Sequence, residues 1–509
     1  MKRPDMRVLA ILSAALLVAF VALAVRQMPP NVSLMATSYR VSAACGGGVY
    51  ALGVSTGLHL PLSRGCQAIA LLGQATLPRA AVPSSNASLA APAYPLAVSS
   101  NGRYLVDRNG TPFMINGDSP QALAVAVSES DMELYLANRA RYGINTVWVN
   151  LVCNYPVGCR PDAATYDGIA PFVPSGDLSH PNEAYFQRID SLLQVAERYG
   201  LLVLLDPMES SGWLDVLRAN GVDKAYAYGY YVGSRYRDVP NILWLNGNDF
   251  QTWHDASDDA LVMAVARGIR DGDPNHLQTV ELNYYRSSSR DDDRWSSLIQ
   301  VDAAYTYSPT YAQILDSYNR SPAMPVFMVE ASYEFENSYT GPATLRRQAY
   351  WSLLSGATGH LYGNAYIWPM SSGWKSYLDS IGARDMSYLA NLFASVRWYD
   401  FIPDQNHSVV TAGYGTYAES GNVNDNDYVT AARSAEGTLL IAYIPTERTI
   451  AVDLESLQGM LRARWYDPST GSFTRAADSL LPSEGTREFH TPGNNGDGDS
   501  DWVLVIDST

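Results

Sequence analysis

Three things are scarce in this 509-residue chain: positive charge, cysteine and long apolar runs. Lys and Arg number 35 against 51 Asp and Glu, a net charge of −16. Phosphate contact needs clustered cations, so nucleic acid is not an expected partner. The same charge repels anionic lipid and anionic polysaccharide, and a neutral ligand fits better. The four cysteines have no C-x-x-C spacing and no spaced His pair beside them, which argues against zinc. No G-x-G-x-x-G follows the first strand-like run and no H-E-x-x-H is present, so neither a dinucleotide fold nor metallopeptidase chemistry is indicated. No cofactor and no metal is called for.

One long apolar run does exist, "VLAILSAALLVAFVALAV" at 8–25, after Lys2, Arg3 and Arg7 and before Arg26. It reads as a signal peptide, with "ALA" at 22–24 as a cleavage site, or as a single N-terminal membrane anchor. Both readings place the remaining chain outside the cytoplasm: secreted, periplasmic or anchored facing outward. The cysteines suit that compartment. Cys45 and Cys66 share one small region, and Cys153 and Cys159 flank "NYPVG". Local pairing gives two disulfides, although four cysteines allow three connectivities.

Hydrophobic residues make up 47% of the chain, enough for a large core, and its length calls for two or three domains. The expected organisation is a leader at 1–27, a small N-terminal β module at 28–77, a Pro/Ala/Ser linker at 78–95, a catalytic domain at 96–402 and an all-β domain at 403–509. "RYLVDRNGTPFMING" predicts a hairpin with an Asn-Gly turn. Eight strand-like runs follow: 112–117, 145–152, 201–207, 241–247, 277–283, 302–308, 325–331 and 359–368. Amphipathic stretches such as "ESDMELYLANRARYG" lie between them and end in Gly, as helices commonly do. Several of the strand runs are apolar on both faces, which suits buried parallel strands. The fold class expected is α/β, a (β/α)8 TIM barrel, with an open doubly wound sheet as runner-up. After residue 402 short strands and turns predict a C-terminal β-sandwich, including a hairpin at "WYDPSTGSF".

In a barrel the C-terminal strand ends converge on one mouth, where chemistry occurs. Those ends are polar here. Asp118, Asn150 and Asp206 close runs one to three, and Asn248 with Asp249 follow run four. Asn283 and Tyr284 follow run five, Tyr305 or Tyr307 run six, Glu330 run seven and Trp368 run eight. Two carboxyl groups facing across a pocket are what glycoside cleavage requires: one protonates the leaving oxygen and the other attacks or stabilises the anomeric carbon. Asp249 and Glu330 are the expected catalytic pair. The plainer alternatives are a helix-capping Asp249 and a Glu330 paired with arginine. Glu334 competes with Glu330 and is otherwise a substrate contact. Asn248 is placed to hold a sugar hydroxyl and a tyrosine to hold Glu330 ionised. Asp118 and Asp206 are hydroxyl binders, or else salt bridges and caps. Of Trp148, Trp213, Trp253, Trp295, Trp368 and Trp374, two are expected at substrate and the others in packing.

"NGRYLVDRNGTPFMINGDS", "NILWLNGND", "PVFMVEASYE", "GHLYGNAYIW" and "RARWYDPSTGSF…DWVLVID" together resemble the apiosidase-like glycoside hydrolases over about residues 96–508. The resemblance implies a (β/α)8 catalytic domain followed by a β-sandwich that carries a collagen-binding label. It also implies a proton donor at Asp249, a nucleophile at Glu330 and an oligo- or polysaccharide substrate. Here strand four ends in Gly-Asn-Asp rather than Gly-Gly-Asp, and "EASYE" stands where Glu-Pro-x-Tyr-Glu is commoner. These departures bear on the sugar more than on the reaction.

"GVSTG" at 53–57 fits a nucleophile elbow but has no core strands before it. "DGDSD" at 497–501 spaces aspartates as calcium loops do, yet lacks the closing Glu and reads as a solvated turn. The rival function is a non-catalytic carbohydrate-binding or adhesive protein on the same scaffold. A degenerate binder is expected to have lost one carboxylate, and this chain keeps both. Oligomeric state and the identity of the sugar are not readable from the sequence.

Overall fold

The computed structural model describes residues 91–509 and, ahead of them, three short strands, Tyr39–Cys45, Gly48–Val54 and Gln67–Ile69. These three pair antiparallel as one small sheet with Tyr39–Cys45 in the middle. The expected leader, most of the linker and the Cys45–Cys66 pairing fall outside the described residues. Among those residues no helix is long and apolar enough to cross a membrane.

The catalytic region is a curled sheet of nine strands. Eight run parallel: β1 (Ile115–Asp118), β2 (Thr146–Asn150), β3 (Leu202–Asp206), β4 (Ile242–Asn246), β5 (Gln278–Val280), β6 (Asp302–Thr306), β7 (Val326–Glu330) and β8 (Gly359–Tyr362). Their order is 5-4-3-2-1-8-7-6, and the ninth strand, Arg286–Ser288, pairs antiparallel with β6. Between β5 and β6 there is no sheet ladder. A backbone bond from Gln300 to the Gln278 carbonyl (2.9 Å) crosses the gap instead. Beside it the Ser289 hydroxyl donates to the Val280 carbonyl (2.6 Å) and accepts from the Ala303 N–H (2.8 Å).

Alternation along these strands explains the run pattern. Trp148, Leu202, Leu204, Leu243, Leu245, Ala303, Phe327 and Val329 form one inner cluster, while Val147, Val149, Val203, Leu205 and Trp244 join the helices outside. Both faces are dry, so both must be apolar. α-Helices follow seven of the eight strands. The exception is the stretch from β5 to β6, which carries short 3-10 turns at Ser289–Asp291 and Asp293–Trp295 where a (β/α)8 repeat calls for an eighth helix. Ser128 and Asn182 cap Glu129–Arg141 and Glu183–Arg198 through their side chains, and the glycine beyond each helix end is left-handed. The predicted Asn-Gly hairpin is present, and its Leu105 and Phe113 extend the inner cluster.

From Phe401 onward the chain is antiparallel sheet. Val410, Ile450, Val452 and Phe489 of a three-stranded sheet share one apolar cluster with Leu440, Ala442, Ile444, Leu461, Trp465, Leu504 and Ile506 of the larger sheet. The far face of the larger sheet packs on helix Pro342–Leu354 through Tyr443, Val505, Tyr350 and Trp351. The "DGDSD" turn is not merely solvated: Asp499 and Asp501 both bind Arg346 of that helix at 2.7 Å.

Candidate active site

The turn after β4 sets the geometry of the mouth. Three consecutive residues take left-handed backbone angles: φ is +105° at Gly247, +65° at Asn248 and +54° at Asp249. A Cβ at 247 would lie 2.2 Å from the Glu281 carbonyl oxygen, so glycine is required there. Asn and Asp tolerate this conformation best among L-residues, at a cost of about 1 kcal/mol or more each. The reversal brings the Asp249 N–H to Glu281 Oε2 at 3.1 Å. Asp249 Oδ1 is buried without a hydrogen-bond partner.

Glu330 closes β7 and is 9% exposed. Tyr305 donates to its Oε1 at 2.6 Å, Tyr307 to the same oxygen at 3.4 Å and Tyr333 to Oε2 at 2.7 Å. Burial, and then the charge of Asp249, push the Glu330 carboxyl up to about 8, against the pull of the Tyr305 and Tyr333 hydroxyls. Burial likewise lifts Asp249 to about 7, with Tyr305 hydrogen bonding acting against it. The two acids cannot both be charged cheaply, so near neutrality they share a proton. Even with those hydroxyls acting on it, Glu330 is raised further than Asp249. Glu330 accepts three phenolic hydroxyls that stabilise its anion, whereas Asp249 has an oxygen with none. Those hydroxyls favour the arrangement with Glu330 ionised and the shared proton on Asp249, whereas burial favours the reverse.

The other expected residues divide. Asn150 and Asp206 end adjacent strands in register and are fully buried. Both polar atoms of the Asn150 amide and Asp206 Oδ2 lack a partner. Asn248 donates to Gln121 (3.3 Å), and Asn283 and Tyr284 are exposed. Tyr307 also donates to Glu336 at 2.6 Å. Three expectations change. Asp118 is not open to a sugar hydroxyl: it is sealed against Arg139 and Tyr135, both at 2.5 Å. Glu334 turns away from the mouth, where Tyr362, Asn364 (3.0 Å) and the Gly382 N–H (2.9 Å) occupy its carboxylate. Trp368 does not end a strand; β8 stops at Tyr362 and Trp368 lies in the loop beyond, half-buried against the helical core. Trp148, Trp213, Trp295 and Trp374 are buried, which leaves Trp253 and Trp368 as the accessible pair among the six.

Sequence reasoning passed over three acids. Glu281, just past β5, is fully buried beside Asp249 and Glu330. Glu209 accepts the Asn154 N–H at 2.7 Å, and burial raises it to about 7. Glu336 holds Tyr307 at the exposed rim. The signal for Glu281 was present, since a lone carboxylate in "LQTVELN" is out of place in a buried strand. Cys153 and Cys159 are disulfide-bonded, and the loop they close delivers that Asn154 N–H. Among the described residues no group of His, Cys, Asp and Glu is arranged to hold a metal ion.

Residues 99–400 match the family model described as "Apiosidase-like, catalytic domain", and 416–507 match "Putative collagen-binding domain of a collagenase". No curated protein matches the chain. One solved structure, described as a glycoside hydrolase, is 24% identical with a TM-score of 0.71, covering 82% of this chain and 97% of its own. A glycoside hydrolase family 5 protein from Bacteroides vulgatus ATCC 8482 is 22% identical with a TM-score of 0.70, covering 81% and 93%. These likenesses carry the fold. The family match spans more than half of the sequence, so the chain belongs to the apiosidase-like family and is a glycoside hydrolase.

Proposed function

We propose that this protein is an exported, retaining glycosidase acting on a neutral plant or bacterial-envelope polysaccharide. The catalytic domain, about 96–402, is a (β/α)8 barrel whose β5–β6 seam is bridged by Ser289, and a β-sandwich at about 403–509 follows it. Asp249 protonates the glycosidic oxygen while Glu330 attacks the anomeric carbon, and the aglycone leaves from a glycosyl-enzyme ester. Asp249, now ionised, takes a proton from water, which attacks the same carbon and frees Glu330.

What supports this reading is the pair itself: both carboxyls are buried, Glu330 is held by the Tyr305 hydroxyl at 2.6 Å, and the charge of Asp249 is the second cause of the rise at Glu330. Two buried carboxyls that feel each other's charge suit the separation of about 5 Å used by retaining enzymes. Exposed rings on both sides of the acids, Tyr284 and Tyr285 beyond β5 and Phe335 beyond β7, suit the apolar faces of sugars. Export rests on the N-terminal apolar run and on the Cys153–Cys159 bond.

The test is release of reducing ends from plant and bacterial-envelope glycans by wild type, Asp249→Asn and Glu330→Gln. Activity in the wild type alone supports the assignment. Equal activity in all three excludes it and leaves a carbohydrate-binding scaffold.

A further inference from the structure

Glu281 has no part in the chemistry just described, yet it is fully buried at the mouth, as Asp206 and Glu209 are. It follows β5 and its N–H continues the sheet by donating to the Asn246 carbonyl at 2.8 Å. Its Oε2 takes the Asp249 N–H at 3.1 Å, and its Oε1 is buried with no partner. The charged and titratable groups facing it are Asp206 from β3, Asp249 after β4 and Glu330 from β7, with the Tyr305 phenol of β6 beside them. Among the described residues no Lys, Arg or His forms an ion pair with it. A buried carboxylate with one unpaired oxygen and three acidic neighbours is costly, whereas the neutral acid is not.

We propose, resting on the catalytic reading of Asp249 and Glu330, that Glu281 is a positioning residue held as an uncharged acid. Its Oε2 pins the Asp249 N–H and so fixes the left-handed turn that aims the proton donor. Its neutrality keeps a second negative charge out of the cleft, so one proton is divided between Asp249 and Glu330 alone. The geometry supports this on two counts. The turn from Gly247 to Asp249 carries three successive positive φ angles and needs an external tie. Gly247 also lies directly against the Glu281 backbone, so the two segments move as one. Burial, then Glu330 and Asp249, hold the Glu281 proton on well above the ordinary carboxyl range, which agrees with the geometric case.

Glutamine at 281 keeps the accepting oxygen and the neutrality, and alanine removes both. With the 4-nitrophenyl glycoside that wild type cleaves fastest, Glu281→Gln is expected to keep kcat within about threefold and its pH–rate limbs within half a pH unit. Glu281→Ala is expected to lose about 30-fold in kcat with KM little changed, as misaimed acids do. Glu281→Gln as impaired as Glu281→Ala, or a limb displaced by more than one unit, shows that the charge is needed and overturns the proposal. Glu281→Ala within twofold of wild type overturns it as well. Should Glu281→Ala fail to fold by circular dichroism, the Glu281→Gln pH profile alone decides. Asp249→Asn and Glu330→Gln run alongside: inactive controls with an unaffected Glu281→Ala sink only the role of Glu281, and active controls sink the catalytic reading beneath it.

Discussion

Buried acids occur in two regions of this protein, and they are neutralised differently. Between the catalytic helices and the C-terminal sheets, Arg346 is fully buried and binds Asp385, Asp499 and Asp501, each at 2.7 Å. Behind β1, Arg139 does the same for Asp118. At the mouth, Asp206, Glu209, Asp249, Glu281 and Glu330 have no ion pair with any Lys, Arg or His among the described residues. They receive only hydroxyls and backbone N–H groups. An arginine keeps its charge at every working pH and draws the acids paired with it toward the ionised form, although burial still lifts Asp385 to about 7. Acids left to one another can be neutralised only by protons, which can move. The first arrangement ties the helices to the C-terminal sheets, and the second suits the proton transfers proposed above.

The largest effect should follow from removing a mobile proton site. Glu330→Gln and Asp249→Asn are each expected to lower kcat by about 10³-fold or more while circular dichroism shows the wild-type fold. Arg346→Ala should do the reverse. It strands three aspartates, so chemical denaturation should register a loss of about 3–5 kcal/mol, with normal turnover per folded molecule below the melting range. If Arg346→Ala proved as stable as wild type, or Glu330→Gln unfolded, the division between structural and chemical acids would fail.

A third prediction separates the regions by pH. An unfolded Glu titrates near about 4.3, whereas folded Glu330 is raised to about 8. The folded state therefore holds this proton more tightly than the unfolded chain. Its contribution to stability is complete below the lower value and lost as pH rises through the higher one. Glutamine has no proton to lose. The melting temperature of Glu330→Gln should accordingly gain on wild type progressively between pH 5 and pH 9, and a pH-independent difference would refute the raised state of Glu330.

Much of this division was legible in the sequence, and its limits have physical causes. Eight apolar runs ending in polar residues mark the strands, because strands buried on both faces have no polar alternation to blur them. Asp249 and Glu330 stand out as acids at the ends of such runs. Asp118 misled because its partner, Arg139, lies a helix away and ion pairing leaves no local pattern. Glu281 was passed over because β5 ends at Val280, three residues before the run itself stops, which moved the expected strand end to Asn283. Glu336, not Glu334, meets Tyr307, and Phe335 between the two acids adopts φ +64°, a reversal that no propensity of Phe foretells.

The smallest effect concerns rings rather than charges. Tyr285 is 51% exposed, is held at φ +78° and stacks on Tyr307 at 5.8 Å and 6°, within reach of the hydroxyl that serves Glu330 and Glu336. A strained aromatic displayed at the rim has no packing reason to be there, since Tyr307 would be covered as well by a buried side chain. In the C-terminal sheets Phe473 is 42% exposed, but the Arg464 guanidinium covers it at 4.2 Å. The first ring has a free face for a sugar and the second does not. Tyr285→Ala should raise KM by about 3- to 10-fold with kcat within about twofold, the worth of one aromatic face, while Phe473→Ala should leave both constants on a soluble substrate where they were. Equal effects of the two substitutions would mean that substrate contacts extend onto the C-terminal sheets, and the mouth would no longer be the sole place where this protein meets its glycan.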